Sequence, residues 1–275
     1  MRVAIQGELG SFHQLAAEHW FGEAVEFVPA QSFAEVFRLL GRGEADQAVL
    51  AIENSYYGSI TEVYDLLSEH QFAVVGEVSE QIHQQLLGLP GARLADITEV
   101  VSQAPALGQC SKFLQEQLPG AAKVEYYDTA AAARLVAKRS DKRVAAIASS
   151  AAAGLNGLKL LAKDIENAEQ NYTRFLIIAP RDEQPTGANK TSLVLQTSHK
   201  PGALYHALGV FTHAGFNLTK LQSRPVPGKV WKYKFYIDVE AAGPVLHTAI
   251  TELTKQGCVV QILGEYRADS TEYED

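Results

Sequence analysis

The sequence predicts an α/β domain of two lobes followed by a small α+β domain of ferredoxin-like βαββαβ type. Three observations carry this. From Arg2 to about Pro180, short apolar runs alternate with helical stretches. The segment Pro180–Lys190 is polar, with two prolines and one glycine, and reads as a linker. After it the pattern changes to strand, helix, strand, strand, helix, strand. A chain of 275 residues also suits two domains at roughly 100–200 residues each.

In order along the first part, strands are expected at Val3–Gln6, Glu26–Val28, Ala48–Ile52, Phe72–Val78, Val100–Ser102, Val124–Tyr126, Val144–Ala148 and Phe175–Ala179. Helices are expected at Phe33–Leu40, Leu107–Leu118 and Ala130–Ala137. Ser32 with Glu35 forms a capping box, and Asp128-Thr129 opens an alanine run. Strands alternating with helices imply largely parallel sheets. The long run Phe72–Leu89 is where the chain would cross between lobes, and Ala145–Ala153 reads as close packing. The second part has strand Ser192–Thr197, helix Gly202–Ala214 and strands Leu218–Arg224 and Trp231–Glu240, then helix Val245–Gln256 and strand Val259–Tyr266.

Composition narrows the function. With 24 Lys+Arg against 32 Asp+Glu the net charge is −8, which argues against nucleic acid or anionic membrane as a partner. No window approaches 18 uninterrupted apolar residues, and the start turns polar too soon for a signal peptide. Cys110 and Cys258, 148 positions apart, read as free thiols. The expected location is the cytoplasm. No metal or cofactor template is satisfied: the eight histidines are scattered, and His206 and His213 stand about 10.5 Å apart along a helix axis. No nucleophile elbow, P-loop or H-E-x-x-H sequence occurs.

Four polar segments mark strand ends, where open α/β sheets bind ligands. Gly7-Glu-Leu-Gly10-Ser11-Phe12 follows a strand and precedes a helix, either as a tight turn capped by Ser11 or as an anion site on unpaired N–H groups. Glu53-Asn54-Ser55-Tyr-Tyr-Gly58-Ser59 offers neutral donors, and Ser102 and Gln109 bracket another strand-to-helix turn. In Asn171-Tyr-Thr173-Arg174-Phe175, Thr173 and Arg174 project to opposite sides. Arg174 reads either as a carboxylate clamp or as a surface ion pair. The residues by themselves describe a two-lobed binder of a small organic acid.

These same segments, in this order, resemble prephenate dehydratases. Gly202-Ala203-Leu204, Asn217-Leu218-Thr-Lys and Ser223-Arg224-Pro225 resemble the regulatory ACT module of those enzymes. The resemblance runs from Met1 to Tyr266. It implies a type II periplasmic-binding-protein arrangement over residues 1–180, with crossings near 75–85 and 165–175. A linker at 181–190, an ACT domain at 191–267 and a tail at 268–275 would follow. The implied reaction is decarboxylating dehydration of prephenate to phenylpyruvate, driven by aromatisation, without cofactor or metal. Thr173 would be catalytic, aiding departure of the ring hydroxyl by a strong hydrogen bond or relay, because a threonine hydroxyl is too weak an acid to transfer its proton outright. Ser11, Asn54, Ser55, Ser59, Ser102, Gln109 and Arg174 would hold the substrate, with Phe175 walling off one side. L-phenylalanine would inhibit from a site of Gly202, Ala203, Leu204, Asn217, Leu218, Ser223, Arg224 and Pro225 between paired subunits of a homodimer or dimer of dimers. Two departures stand out: Gln103-Ala-Pro105 replaces the usual His-Pro-Gln, and Gln222 replaces a glutamate. An arogenate dehydratase and a non-catalytic sensor of small acids are the competing expectations.

Overall fold

The computed structural model describes residues 1–22, 24–181, 185–226 and 228–269. Parts of the expected linker (182–184) and tail (270–275) lie outside these described residues. The described chain forms two compact units, Met1–Ile60 with Val78–Phe175, and Thr61–Glu77 with the described residues from Leu176 onward.

The chain begins β1 (Arg2–Gln6), α1 (Phe12–Phe21), β2 (Glu26–Ala30), α2 (Phe33–Gly41), β3 (Gln47–Asn54) and the short β4 (Gly58–Ser59). It continues through α3 (Thr61–Glu69) and β5 (Phe72–Gln81). Next come β6 (Gln85–Gly88), β7 (Glu99–Ser102), α4 (Ala104–Gln109), α5 (Ser111–Gln117), β8 (Ala122–Glu125), α6 (Thr129–Arg139), β9 (Val144–Ala148), α7 (Ser150–Leu155) and β10 (Lys159–Ala162). After β11 (Tyr172–Pro180) follow β12 (Lys190–Gln196), α8 (Ala203–His213), β13 (Leu218–Pro225), β14 (Tyr233–Val239), α9 (Pro244–Lys255) and β15 (Val259–Tyr266).

One sheet has the order β2-β1-β3-β11-β5, with β4 paired to β3; β1 runs parallel to both β2 and β3. Its buried Val3–Ile5 and Ala48–Ile52 explain the uninterrupted apolar runs of the sequence. The unit division passes through β5 at Glu77/Val78 and through β11 at Phe175/Leu176. A second sheet, β10-β6-β9-β7-β8, is parallel at β7/β8 and β7/β9 and antiparallel at β6/β9 and β10/β6. The chain leaves the first sheet after Gln81 and returns to it at Tyr172. Small residues set the packing here: Ala130, Ala132 and Ala133 of α6 lie in one buried cluster with Ala146 and Ala148 of β9 and Ala152 and Ala153 of α7. Without side-chain bulk, helix and sheet approach closely.

Some local expectations shift. The helix expected over Leu107–Leu118 is two helices that meet at Cys110. The capping box of α2 holds, with Ser32 Oγ accepting from Glu35 N, but the glutamate reaches back one residue farther, to Gln31 N.

In the second unit the strands run β13-β14-β12-β15, all antiparallel. Leu193, Leu195, Ile237 and Val239 pack with Ala207, Phe211, Leu246 and Leu253 of α8 and α9. The alternate residues form a polar layer. Lys190 Nζ pairs with Glu77 at 2.8 Å, Ser192 Oγ donates to Asp238 at 2.6 Å, and Asp65 accepts from Arg224 at 2.6 Å and pairs with Lys234 at 3.0 Å. Asp65 and Glu77 belong to the segment Thr61–Glu77, which the sequence reading kept in the first domain. Lys190 and Lys234 are buried, and the carboxylates of Glu77 and Asp65 neutralise them.

Candidate active site

A cavity of about 280 Å³ lies in the first unit, lined by strands of the first sheet, by α1 and α4 and by the start of α6. Its walls include Ser11 and His13 at the start of α1, Asn54 at the end of β3, Gln109 on α4, and Thr173 and Phe175 at the start of β11. The geometry of β11 follows from the pleat: Thr173 and Phe175 share the lining face and Arg174 does not.

Asn54 organises the site. Its Oδ1 accepts from the backbone N–H groups of Tyr56 (3.0 Å) and Tyr57 (2.9 Å), which fixes which end of the amide is oxygen. Its Nδ2 then donates to Asn171 Oδ1 (2.8 Å), Tyr172 O (3.1 Å) and Thr173 Oγ1 (3.0 Å). Gln109 Nε2 donates to the same Asn54 Oδ1 at 3.2 Å, which leaves Gln109 Oε1 to accept from Gln84 Nε2 at 3.0 Å. The chain of amides has one direction, from Gln84 through Gln109 and Asn54 to Thr173. Because Thr173 Oγ1 accepts from Asn54, the threonine is free to donate its own proton elsewhere.

Further contacts join the lobes of this unit. Ser149 Oγ donates to Gly10 O at 2.5 Å, and Tyr127 Oη and Arg134 Nε each donate to Glu8 at 2.5 Å. Tyr57 lies so close to Gly108 that a side chain there would meet its hydroxyl at 1.8 Å. Burial pushes His13 down to about 3, so the ring is neutral; its Nε2 accepts from Ala51 N at 3.2 Å and its edge meets Phe175 at 5.1 Å. Burial also raises Asp128, which lines the cavity while capping α6 through Ala131 N at 2.8 Å.

The structure brings together Ser11, Asn54, Ser59, Gln109, Thr173 and Phe175 of the expected residues. Ser55, Ser102 and Arg174 are not among the residues that line this cavity. Nearby backbone takes the two hydroxyls: Ser55 accepts from Tyr172 N at 2.9 Å and donates to Gln170 O, and Ser102 donates to Ile147 O at 2.6 Å. Arg174 pairs with Glu53 at 3.1 Å. His13, Gln84, Asp128 and Asn171 were missed as individual site residues. Asn171 had a signal, since it shares the strand alternation of Thr173; Gln84 had none. His83, Asp164 and Glu166 bring potential metal ligands together among the described residues, but none lines the cavity.

In the second unit, Gly202 precedes α8 with φ +81°, and Ala203 and Leu204 begin that helix. Leu218, Ser223, Arg224 and Pro225 lie on β13. Asn217 Nδ2 donates to Glu240 at 2.8 Å, and Arg224 is held by Asp65. A cavity of about 380 Å³ beside α8 is lined by Ala203 but by none of the expected residues from Asn217 to Pro225.

The family model described as prephenate dehydratase matches residues 3–183. An Arabidopsis thaliana protein named arogenate dehydratase/prephenate dehydratase 2, chloroplastic, is 38% identical over 98% of this chain and 74% of its own length. A solved prephenate dehydratase from Arthrobacter aurescens in complex with L-Phe has a TM-score of 0.88 at 29% identity, covering 97% of this chain and 90% of that one. A structure described as GqqA, a novel type of quorum quenching acylase, has a TM-score of 0.87 at 35% identity, covering 98% and 99%. With its family match spanning the whole cavity-bearing unit, the chain belongs to the prephenate dehydratase family of lyases.

Proposed function

We propose that this cavity converts prephenate to phenylpyruvate, carbon dioxide and water. The observation that carries the reading is the hydrogen bond from Asn54 Nδ2 to Thr173 Oγ1, which positions the threonine hydroxyl and leaves its own proton available to donate. The bond from the ring to the departing carboxylate breaks, and its electron pair moves through the diene to expel the hydroxyl at the opposite carbon. Thr173 donates to that oxygen as negative charge builds on it, an interaction stronger in the transition state than in the ground state. The proton that completes the water comes through this hydrogen bond or a relay, since the threonine cannot remain deprotonated. The N-terminus of α1 at Ser11 suits a substrate carboxylate. Neutral His13 and Phe175 supply an apolar wall that favours loss of carbon dioxide.

The division of labour is catalysis by residues 1–180 and regulation by an ACT domain at 191–267, joined by the linker at 181–190 and ending in the tail at 268–275. The relative solved with L-Phe supports phenylalanine as effector. A homodimer or dimer of dimers is the expected assembly. Among the described residues, no helix is long and apolar enough to cross a membrane.

The acylase neighbour supports a second reading, hydrolysis of an acyl bond. Nucleophilic attack by Thr173 would need a base on its hydroxyl, whereas the side chain bonded to it here is the Asn54 amide, which accepts no proton. The deciding experiment is release of phenylpyruvate from prephenate by the purified full chain, with and without phenylalanine. Turnover that phenylalanine lowers is the expected result; no phenylpyruvate, with ligand binding intact, would leave a sensor.

A further inference from the structure

Tyr57 lines the cavity and is also 51% exposed, so one face of its ring looks inward and the other meets solvent. The side chain starts in the turn between β3 and β4 of the first sheet. That turn is held firmly: Asn54 pairs with Gly58 across it, Gly58 takes φ +81°, and Asn54 Oδ1 accepts from Tyr57 N at 2.9 Å. The ring ends over Gly108 of α4, a helix whose Ala106 and Leu107 pack with Val100 and Ile147 of the second sheet. Tyr57 therefore spans the mouth of the cavity from one lobe to the other.

Gly108 makes this span possible. A Cβ there would overlap the Tyr57 hydroxyl and stand 3.0 Å from Cζ, and the three atoms nearest to it would all belong to Tyr57. The backbone gives no reason for a glycine, since Gly108 does not take positive φ and sits in a helix, where alanine is favoured. The missing side chain answers to the ring. Within the same cavity are Thr173 and the wall of His13 and Phe175. Both the hydrogen bond to the leaving oxygen and the loss of carbon dioxide gain from exclusion of water.

Taking the elimination proposed above as given, we propose that Tyr57 is the lid of the cavity. Its backbone stays fixed while the ring swings about χ1 to admit substrate, then seats on Gly108 and shuts water away from Thr173.

The test is a double-mutant cycle in phenylpyruvate formation by the full chain, with Tyr57→Ala, Gly108→Ala and the two combined, alongside Tyr57→Phe. Tyr57→Ala removes the lid. Gly108→Ala unseats it, because an exposed ring swings aside more easily than a packed helix moves. Each should lower kcat/KM about tenfold, and the double variant should also lose about tenfold rather than the roughly hundredfold of independent effects. Tyr57→Phe keeps the ring and should stay within about threefold of the unaltered chain. A double variant near the product of the single losses would overturn the proposal, since tyrosine and glycine would then act separately. Full activity in either single alanine variant would overturn it too. So would a Tyr57→Phe loss equal to that of Tyr57→Ala, because the hydroxyl and not the ring would then be at work. If Gly108→Ala does not fold, the two Tyr57 variants decide by the same criteria. Failure of the unaltered chain to release phenylpyruvate refutes the reaction itself, and this proposal with it, before any substitution is made.

Discussion

Replacing Thr173 with valine is the sharpest test of the mechanism, because the structure separates its effects on catalysis and on folding. The substitution exchanges a hydroxyl for a methyl group in a side chain that is 8% exposed. Asn54 Nδ2 loses one acceptor at 3.0 Å but keeps Asn171 Oδ1 at 2.8 Å and Tyr172 O at 3.1 Å, so no buried donor is orphaned. The folding cost should stay near the net worth of one hydrogen bond, about 1 kcal/mol. Catalysis loses its donor at the leaving oxygen. A loss of about 10²–10⁴ in kcat is expected, equivalent to about 2.7–5.4 kcal/mol of barrier. The assay is phenylpyruvate formation at saturating prephenate, paired with denaturant unfolding of the same samples. Thr173→Ser, which keeps the hydroxyl, should retain most activity. Turnover of Thr173→Val within tenfold of the unaltered chain would refute the role given to this hydroxyl.

Three further perturbations test the surrounding structure. His13 has a folded-state pKa of about 3 against 6.5 unfolded, so the unfolded chain binds the extra proton. Stability should fall by about 1.4 kcal/mol per pH unit from this residue as pH drops below 6.5, a slope that His13→Gln removes in unfolding titrations between about pH 7 and 4. Gly7 has φ +95°, and a Cβ there would sit 2.4 Å from Asp128 Oδ2, so Gly7→Ala should cost more than about 1 kcal/mol by thermal unfolding; a neutral result would mean that the Asp128 cap is dispensable. Glu77→Gln strands the buried Lys190 ammonium and should cost about 3–5 kcal/mol, most of it recovered in the double variant Glu77→Leu/Lys190→Met.

The parallel strands were legible because burial on both faces writes itself as an unbroken apolar run, as in Ala48–Ile52 and Val144–Ala148. The strands β6 and β10 lack the β-branched valine that marks the equally short β7 and β8, and Gln85 opens the first with a polar side chain. The affiliation of α3 was hidden for another reason. Asp65 and Arg224 are 159 positions apart, and nothing local to either announces the pairing. Within the site, Asn54, Gln109 and Thr173 could be found because polar groups at strand and helix ends are conspicuous. Ser55 and Ser102 looked equally suitable, but a hydroxyl near unpaired backbone serves that backbone first. The alternation that sends Thr173 and Arg174 to opposite faces was readable from the sequence; what the guanidinium would meet there, Glu53, was not.

The one-way line of Gln84, Gln109, Asn54 and Thr173 is made wholly of carboxamides and an alcohol. Such groups neither gain nor lose protons in the range where proteins stay folded. The apparatus around the reacting oxygen is thus blind to acidity, and turnover should trace a broad plateau against pH rather than a bell. Any shoulders on that plateau belong to the substrate's own ionisations, to the Asp128 carboxyl in the cavity wall, or to the protein coming apart in acid.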